Sequence, residues 1–322
     1  MSHVTEEQRY VISRMLSKNM TLEDIGTAIG KDKSVVSREI KRNCDQRSGQ
    51  YKPELAHKKY LSRLHSKPKC VKLTEPVKEY IEKKIEDKWS PEQISNRPNP
   101  EGLDLVSPET IYKYIALDRK TGGKLHTHLR RKKKKKRRCS LPDNRGKIKD
   151  AKGIAERPKI VEKNTRPGDL EVDLIIGEKH KGALITINDR RSGRCWIKLT
   201  RTKDSNRVAK IIIKALEPYK KMIHTITSDN GKEFADFKMI EEKLDIEFYF
   251  ADPYSSWQRG SNENLNGLIR QYFPKKTNFE SLTWSEVKYV EKMLNNRPRK
   301  RLGYRTPNEE FIFLTKKVAF AA

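Results

Sequence analysis

Three carboxylates in this sequence stand where hard divalent cations could be held. Asp229 follows an alternating apolar run, Ile223-His224-Thr225-Ile226-Thr227-Ser228, and precedes Asn230-Gly231. That order predicts a strand running into a turn, which puts a carboxylate at the strand's carboxyl end, where α/β sheets place their chemistry. Glu263 lies 33 intervening residues further on, behind Trp257-Gln258-Arg259-Gly260-Ser261-Asn262, and opens a helical stretch reaching to about Tyr272. Asp173 sits inside Leu170-Glu171-Val172-Asp173-Leu174-Ile175-Ile176-Gly177, which reads as a strand. Aspartate is depleted inside strands, so one at mid-strand needs a reason. If the three converge, they supply oxygen ligands for Mg²⁺, with Mn²⁺ as a substitute. Two such ions can clamp both oxygens of an in-line phosphoryl displacement. Three like charges crowded into one pocket would also repel one another. Taken singly, each acid has a plainer reading: a turn cap at Asp229, a helix N-terminal charge at Glu263, an edge-strand charge at Asp173.

Asp173, Asp229 and Glu263 resemble the Asp-Asp-Glu triad of polynucleotidyl transferases. Their flanks, Glu171 to Gly177, Thr227-Ser228-Asp229-Asn230-Gly231-Lys232-Glu233-Phe234 and Trp257 to Phe273, resemble the bacterial insertion-sequence transposases of the IS-thirty family. The resemblance runs nearly end to end, as far as Asn296-Arg297-Pro298-Arg299-Lys300. It departs at Leu170, where the family commonly has Trp, and at Val172, where it has a small residue. The resemblance implies an α/β catalytic domain of the ribonuclease-H-like kind, a mixed sheet with helices on both faces, preceded by all-α helix-turn-helix DNA-binding domains. It implies an enzyme that binds the terminal inverted repeats of an insertion sequence, cuts there with two Mg²⁺ ions held by the triad, and joins the 3′-hydroxyl to target DNA. Its partners would be double-stranded transposon ends and target, and a second copy of the chain or more when two ends are brought together. It also implies a basic residue seven positions beyond the glutamate to grip a phosphate, here Arg270, which shares the helix face of Glu263. Without the resemblance, Arg270 reads equally as a solvated helix charge. Trp257, Gln258 and Arg259 could stack on an unpaired base or touch the backbone, or Trp257 could be buried in the core. The other reading of the whole chain is a catalytically inactive, transposase-derived DNA-binding regulator, against which the intact triad speaks.

Composition agrees with a nucleic-acid partner. The 322 residues carry a net charge of +28, with 35% charged and 34% hydrophobic residues, an excess that favours a polyanion. Residues 1–150 hold 37 Lys and Arg against 20 Asp and Glu, and the rest 34 against 23, so both halves should touch phosphate. No apolar run approaches a membrane span, and the first twenty residues have no apolar signal core, so a cytoplasmic, nucleoid-associated protein is expected. Cys44, Cys70, Cys139 and Cys195 form no Cys-x-x-Cys pair, which argues against a zinc finger.

The elements that must position this chemistry are also legible. Thr5 with Gln8 and Thr21 with Asp24 make capping-box patterns for two helices, the second ended by Gly30. A third, from Ser34 to Arg42, puts Val36 and Ile40 on one face and Ser34, Ser37, Arg38 and Lys41 on the other. Together they predict a helix-turn-helix over 1–45, its last helix entering the major groove; a generic three-helix bundle with a basic face would read the same. Ser90-Pro91-Glu92-Gln93-Ile94 and Ser107-Pro108-Glu109-Thr110-Ile111 each start a helix. They suggest a second such domain over 46–120, with Thr110 and Lys113 as contacts, or a helical spacer. Nine basic residues run from Arg130 to Arg138, including Arg131, Lys132, Lys133, Lys134, Lys135 and Lys136, within a linker spanning 121–165. Such a block stays extended until an anion neutralises it, and tracks a DNA backbone. The catalytic domain is expected over 166–322, with strands near 170–177, 183–188, 194–200, 223–228 and 246–250 and helices at 204–219 and 233–244. Asp189 is assigned to a turn and Glu233 to a helix start.

Overall fold

The computed structural model describes residues 3–66, 72–130, 148, 150–252 and 255–321, and the chain divides into two compact units, 1–71 and 72–322. In the first, α1 (Glu6–Leu16) and α2 (Leu22–Ile29) begin at the Thr5/Gln8 and Thr21/Asp24 capping boxes, and α3 (Lys33–Asn43) begins at Asp32. Gly30, at φ +64°, closes α2 in the left-handed conformation that favours glycine. A Cβ on Gly26 would lie 2.6 Å from the Lys31 carbonyl, so the turn into α3 needs glycine there as well. Ile12, Ile25 and Val36 form the core. Beyond the segment 1–45 expected to form the helix-turn-helix, α4 (Pro53–Ser66) packs on α1 and α3 within the same compact unit. Arg9 of α1, only 1% exposed, pairs with Glu39 of α3 at 2.7 Å and lies over the Tyr60 ring of α4. A buried arginine is costly unless paired, and Glu39 and the Tyr60 ring supply its partners.

In the second unit, α5 (Glu75–Glu86), α6 (Pro91–Asn96) and α7 (Pro108–Lys120) bury Ile81, Ile85, Ile94 and Ile111. Ser90 and Ser107 cap α6 and α7 by accepting from Gln93 N and Thr110 N. These helices also make polar contacts with the C-terminal part of the chain. Gln93 Nε2 donates to the Pro298 carbonyl at 2.6 Å, Arg97 forms a bidentate pair with Glu309, and Lys300 pairs with Glu92. Arg131, Lys132, Lys133, Lys134, Lys135 and Lys136 lie outside the described residues.

After β1 (Lys152–Gly153) and α8 (Lys159–Lys163) come β2 (Asp169–Ile176), β3 (Ala183–Asp189) and β4 (Cys195–Thr200), an antiparallel meander. Then α9 (Ser205–Leu216), β5 (Thr225–Ser228), α10 (Phe237–Leu244) and β6 (Glu247–Phe250) alternate, followed by α11 (Gly260–Ile269), α12 (Trp284–Asn295) and α13 (Pro307–Ala321). The strand order is β1-β6-β5-β2-β3-β4, with β2 parallel to β5 and β5 parallel to β6. Such a mixed sheet, its meander leading into parallel crossovers, is the ribonuclease-H-like arrangement. Strand alternation sorts the two faces. Leu170, Val172, Ile185 and Ile187 pack with Val208 and Ile212 of α9 and Ile240 of α10. Ile175, Leu184 and Ile197 pack with Leu265 and Leu268 of α11 and Val290 of α12. Glu171 and Asp173 share parity with Ile175, so both point to the α11 side. Among the described residues, no helix is long and apolar enough to cross a membrane.

Candidate active site

Two of the three acids meet. Register pairs Glu171 of β2 with Thr227 of β5, so two residues further along each chain Asp173, in the middle of β2, stands level with Asp229, just past the carboxyl end of β5. The guanidinium of Arg259, in the 3-10 turn that leads into α11, lies between them. Its Nη1 is 3.3 Å from Asp173 Oδ1 and its Nη2 3.3 Å from Asp229 Oδ2. The other Asp173 oxygen accepts from Asn266 Nδ2, and Asn266 Oδ1 in turn accepts from Thr186 Oγ1. Burial pushes the Asp173 carboxyl above the usual range; Arg259 opposes this and nearby Asp229 adds to it. Asp229 Oδ1 also accepts from Gly231 N at 3.3 Å. The turn-cap reading of Asp229 therefore holds geometrically.

Glu263 is not gathered with them. It is exposed on α11 and makes no hydrogen bond or ion pair among the described residues. Nor, among those residues, does any set of three His, Cys, Asp or Glu side chains stand close enough to hold one ion. The mutual repulsion expected of three acids is eased in two ways: Arg259 offsets one of the two charges of the aspartate pair, and Glu263 stays in solvent. The donor set still fits a hard cation. Two carboxylates already share a positive group, and the remaining acid is on the helix whose side chain Asn266 touches Asp173.

Glu171 is the residue that sequence reasoning passed over. It is fully buried, its Oε1 pairs with Arg190, and its Oε2 accepts from Asn262 N at 2.9 Å, next to Glu263 in the first turn of α11. Burial raises its carboxyl above the usual range, against the pull of Arg190. A carboxylate at a helix N-terminus is stabilised by unsatisfied N–H groups and the helix dipole. Glu171 therefore ties the helix of Glu263 to the strand of Asp173. The signal was present: two acids at i and i+2 of a strand share a face.

The remaining expectations are placed as follows. Ser34, Ser37, Arg38 and Lys41 lie exposed on α3, where Arg38 donates to the Ser34 carbonyl and hydroxyl at 3.0 Å. Thr110 is half-buried behind its Ser107 cap, and Lys113 is exposed beside Glu109. Arg130 donates to Asn264 Oδ1 at 2.9 Å, adjacent to Glu263. Arg270 is not a freely solvated charge, since its guanidinium donates to the carbonyls of Ile176 and Pro274 and lies over Phe279. Core burial of Trp257 is likewise excluded, as the ring is 74% exposed. Asp189 is a turn residue, fully buried, accepting from Gly168 N, Ser192 N and Ser192 Oγ. Glu233 sits in a 3-10 turn, Lys232–Phe234, that precedes α10.

Comparison with known proteins follows the same division. Residues 1–43 match a family model described as a helix-turn-helix domain, and residues 164–256 one described as an integrase core domain. The second match includes Asp173 and Asp229 and ends before Glu263. Over 323 residues the chain is 52% identical to the transposase for insertion sequence element IS4351 of Bacteroides fragilis, covering 99% of each. It is 38% identical to transposase InsI for insertion sequence element IS30A of Escherichia coli K12, over 96% of this chain and 83% of that one. Against the transposase for insertion sequence element IS1086 of Cupriavidus metallidurans the identity is 32%, over 94% and 91%. A solved structure, the catalytic core domain of BIV integrase, aligns at 18% identity with a TM-score of 0.38, over 48% of this chain and 99% of that one.

Proposed function

The chain belongs to the IS-thirty family of insertion-sequence transposases, and from that premise we propose that Asp173, Asp229 and Glu263 form its Mg²⁺-dependent polynucleotidyl transferase site. The observation that carries this reading is the level pair of aspartates, one in the middle of β2 and one just past the end of β5, sharing one cationic group. When bound, divalent ions supply Lewis acidity at the scissile phosphate and lower the pKa of water. The chain's own residues do the rest. Asn266 and Thr186 hold the Asp173 carboxylate in one orientation, with Thr186 Oγ1 also within 3.2 Å of the Asp173 carbonyl. Glu171 holds the first turn of α11, the turn that carries Glu263. Hydrolysis at a transposon end frees a 3′-hydroxyl, which then attacks a target phosphodiester, without a covalent enzyme intermediate. Two or more copies are needed to hold two ends. The test is a purified protein, Mg²⁺ or Mn²⁺, and a labelled duplex bearing the inverted repeat that flanks the reading frame. Cutting at the repeat and joining of its 3′-end to a second duplex are expected; cutting without joining would reduce the assignment to a nuclease.

End recognition belongs to α3. Arg38→Ala is expected to weaken cognate binding by about 1–3 kcal/mol, the value of a good base contact, and to spare non-specific binding. Equal losses on cognate and random duplexes in a mobility-shift titration would make Arg38 a phosphate contact instead. For the basic run, each phosphate contact contributes about −0.9 to the slope of log affinity against log salt. Replacing Lys132, Lys133, Lys134, Lys135 and Lys136 by Gln is expected to shallow that slope on any duplex, with sequence preference kept. An unchanged slope would remove this run from the interface.

A further inference from the structure

Arg259 holds its two aspartates in an unusual way. Charge-assisted N–H···O contacts normally close to about 2.7–2.9 Å. Here both guanidinium arms stop at 3.3 Å, one from each aspartate, and a third contact, Nη1 to the Val172 carbonyl, is 3.4 Å. The buried Nε has no acceptor among the described residues. Arg166, by contrast, grips one carboxylate closely, that of Asp169, at 2.9 and 3.1 Å. Arg259 is thus shared and loosely bonded, and it retains an unused donor.

We propose that Arg259 is a displaceable counter-ion that holds the cation position between Asp173 and Asp229, so that a divalent ion can load only as the guanidinium leaves. The inference rests on the reading of those aspartates as metal ligands. One carboxylate pair cannot serve both charges at full strength, since two cations drawn to the same oxygens repel each other. The side chain that leaves needs an acceptor, and a DNA phosphate offers a planar guanidinium the two-point partner it lacks here. Loading of ions would then be coupled to arrival of DNA, and the chain without DNA would stay poorly charged with metal.

The experiment is a titration of the full chain, without DNA, with Mn²⁺, following the unbound ion by electron paramagnetic resonance. Arg259→Gln is expected to bind Mn²⁺ about tenfold more tightly than the wild type, from removal of the competing charge. Arg259→Met, which keeps much of the stem's volume, serves the same comparison if the Gln variant does not fold by circular dichroism. Adding Asp229→Asn to either variant should abolish the gain. Equal or weaker Mn²⁺ binding by the Arg259 variants, in a titration that Asp229→Asn still abolishes, overturns the counter-ion role and leaves the ligand assignment standing. Mn²⁺ binding indifferent to Asp229→Asn overturns the ligand assignment, and the inference with it.

Discussion

Asp229→Asn is expected to lower strand cleavage at the transposon end in Mg²⁺ by on the order of 10³-fold, because metal charge stabilisation contributes several kcal/mol to the barrier. Asp173→Asn and Glu263→Gln should do the same, and all three variants should still bind the end, since the helix-turn-helix lies in the other compact unit. Glu263→Gln is the most discriminating of the three, because that side chain touches neither aspartate in the structure. Wild-type cleavage by this variant would expel Glu263 from the site. Loss of cleavage with intact binding would establish that it closes onto the pair during the reaction. Glu233→Gln supplies the control and should retain activity. Asp189→Asn, which its turn assignment would have made a second control, does not serve. Its carboxylate accepts from two backbone N–H groups and a hydroxyl in the core, so neutralising it would lower activity by loosening the fold.

Glu171→Ala should destabilise the second unit by about 3–5 kcal/mol, the usual consequence of removing one member of a buried ion pair. The change leaves Arg190 without its partner, at 15% side-chain exposure, with the Arg157 guanidinium nearby, and strips the acceptor from Asn262 N. Glu171→Gln keeps an oxygen for Asn262 and should lose less. Trp89, Trp196, Trp257 and Trp284 all fall in residues 72–322, so urea denaturation followed by tryptophan fluorescence reports this unit selectively. A loss below about 1 kcal/mol, the scale of an exposed pair, would mean that Glu171 contributes little to holding the first turn of α11. In that case its proximity to Glu263 would have no mechanical consequence.

What the sequence determined by itself was local chemistry. The capping boxes at Thr5 and Thr21, the Ser90 and Ser107 caps, and the strands bearing Asp173 and Asp229 are encoded within a few residues of where they act. Period-2 alternation and cap geometry do not depend on distant parts of the chain. Strand ends shifted only by a residue or two, as fraying elements do. The meander followed by alternating strands and helices was likewise enough to name the sheet, and the flanked acids were enough to name the family. Tertiary structure decided everything that depends on which side chain wins a partner far along the chain. Arg259 and Asp229 are 30 residues apart, and Glu171 and Asn262 are 91. No periodicity foretells that a guanidinium will settle between two acids, or that Arg270 will turn to two carbonyls. The same holds for domain limits: α4 belongs to the first unit, its Tyr60 ring partnering the buried Arg9, and α5 to α7 join the second through Gln93 and Arg97. Those outcomes follow from competition among polar groups for burial with a partner, and that competition is settled only when the whole fold has brought the candidates together.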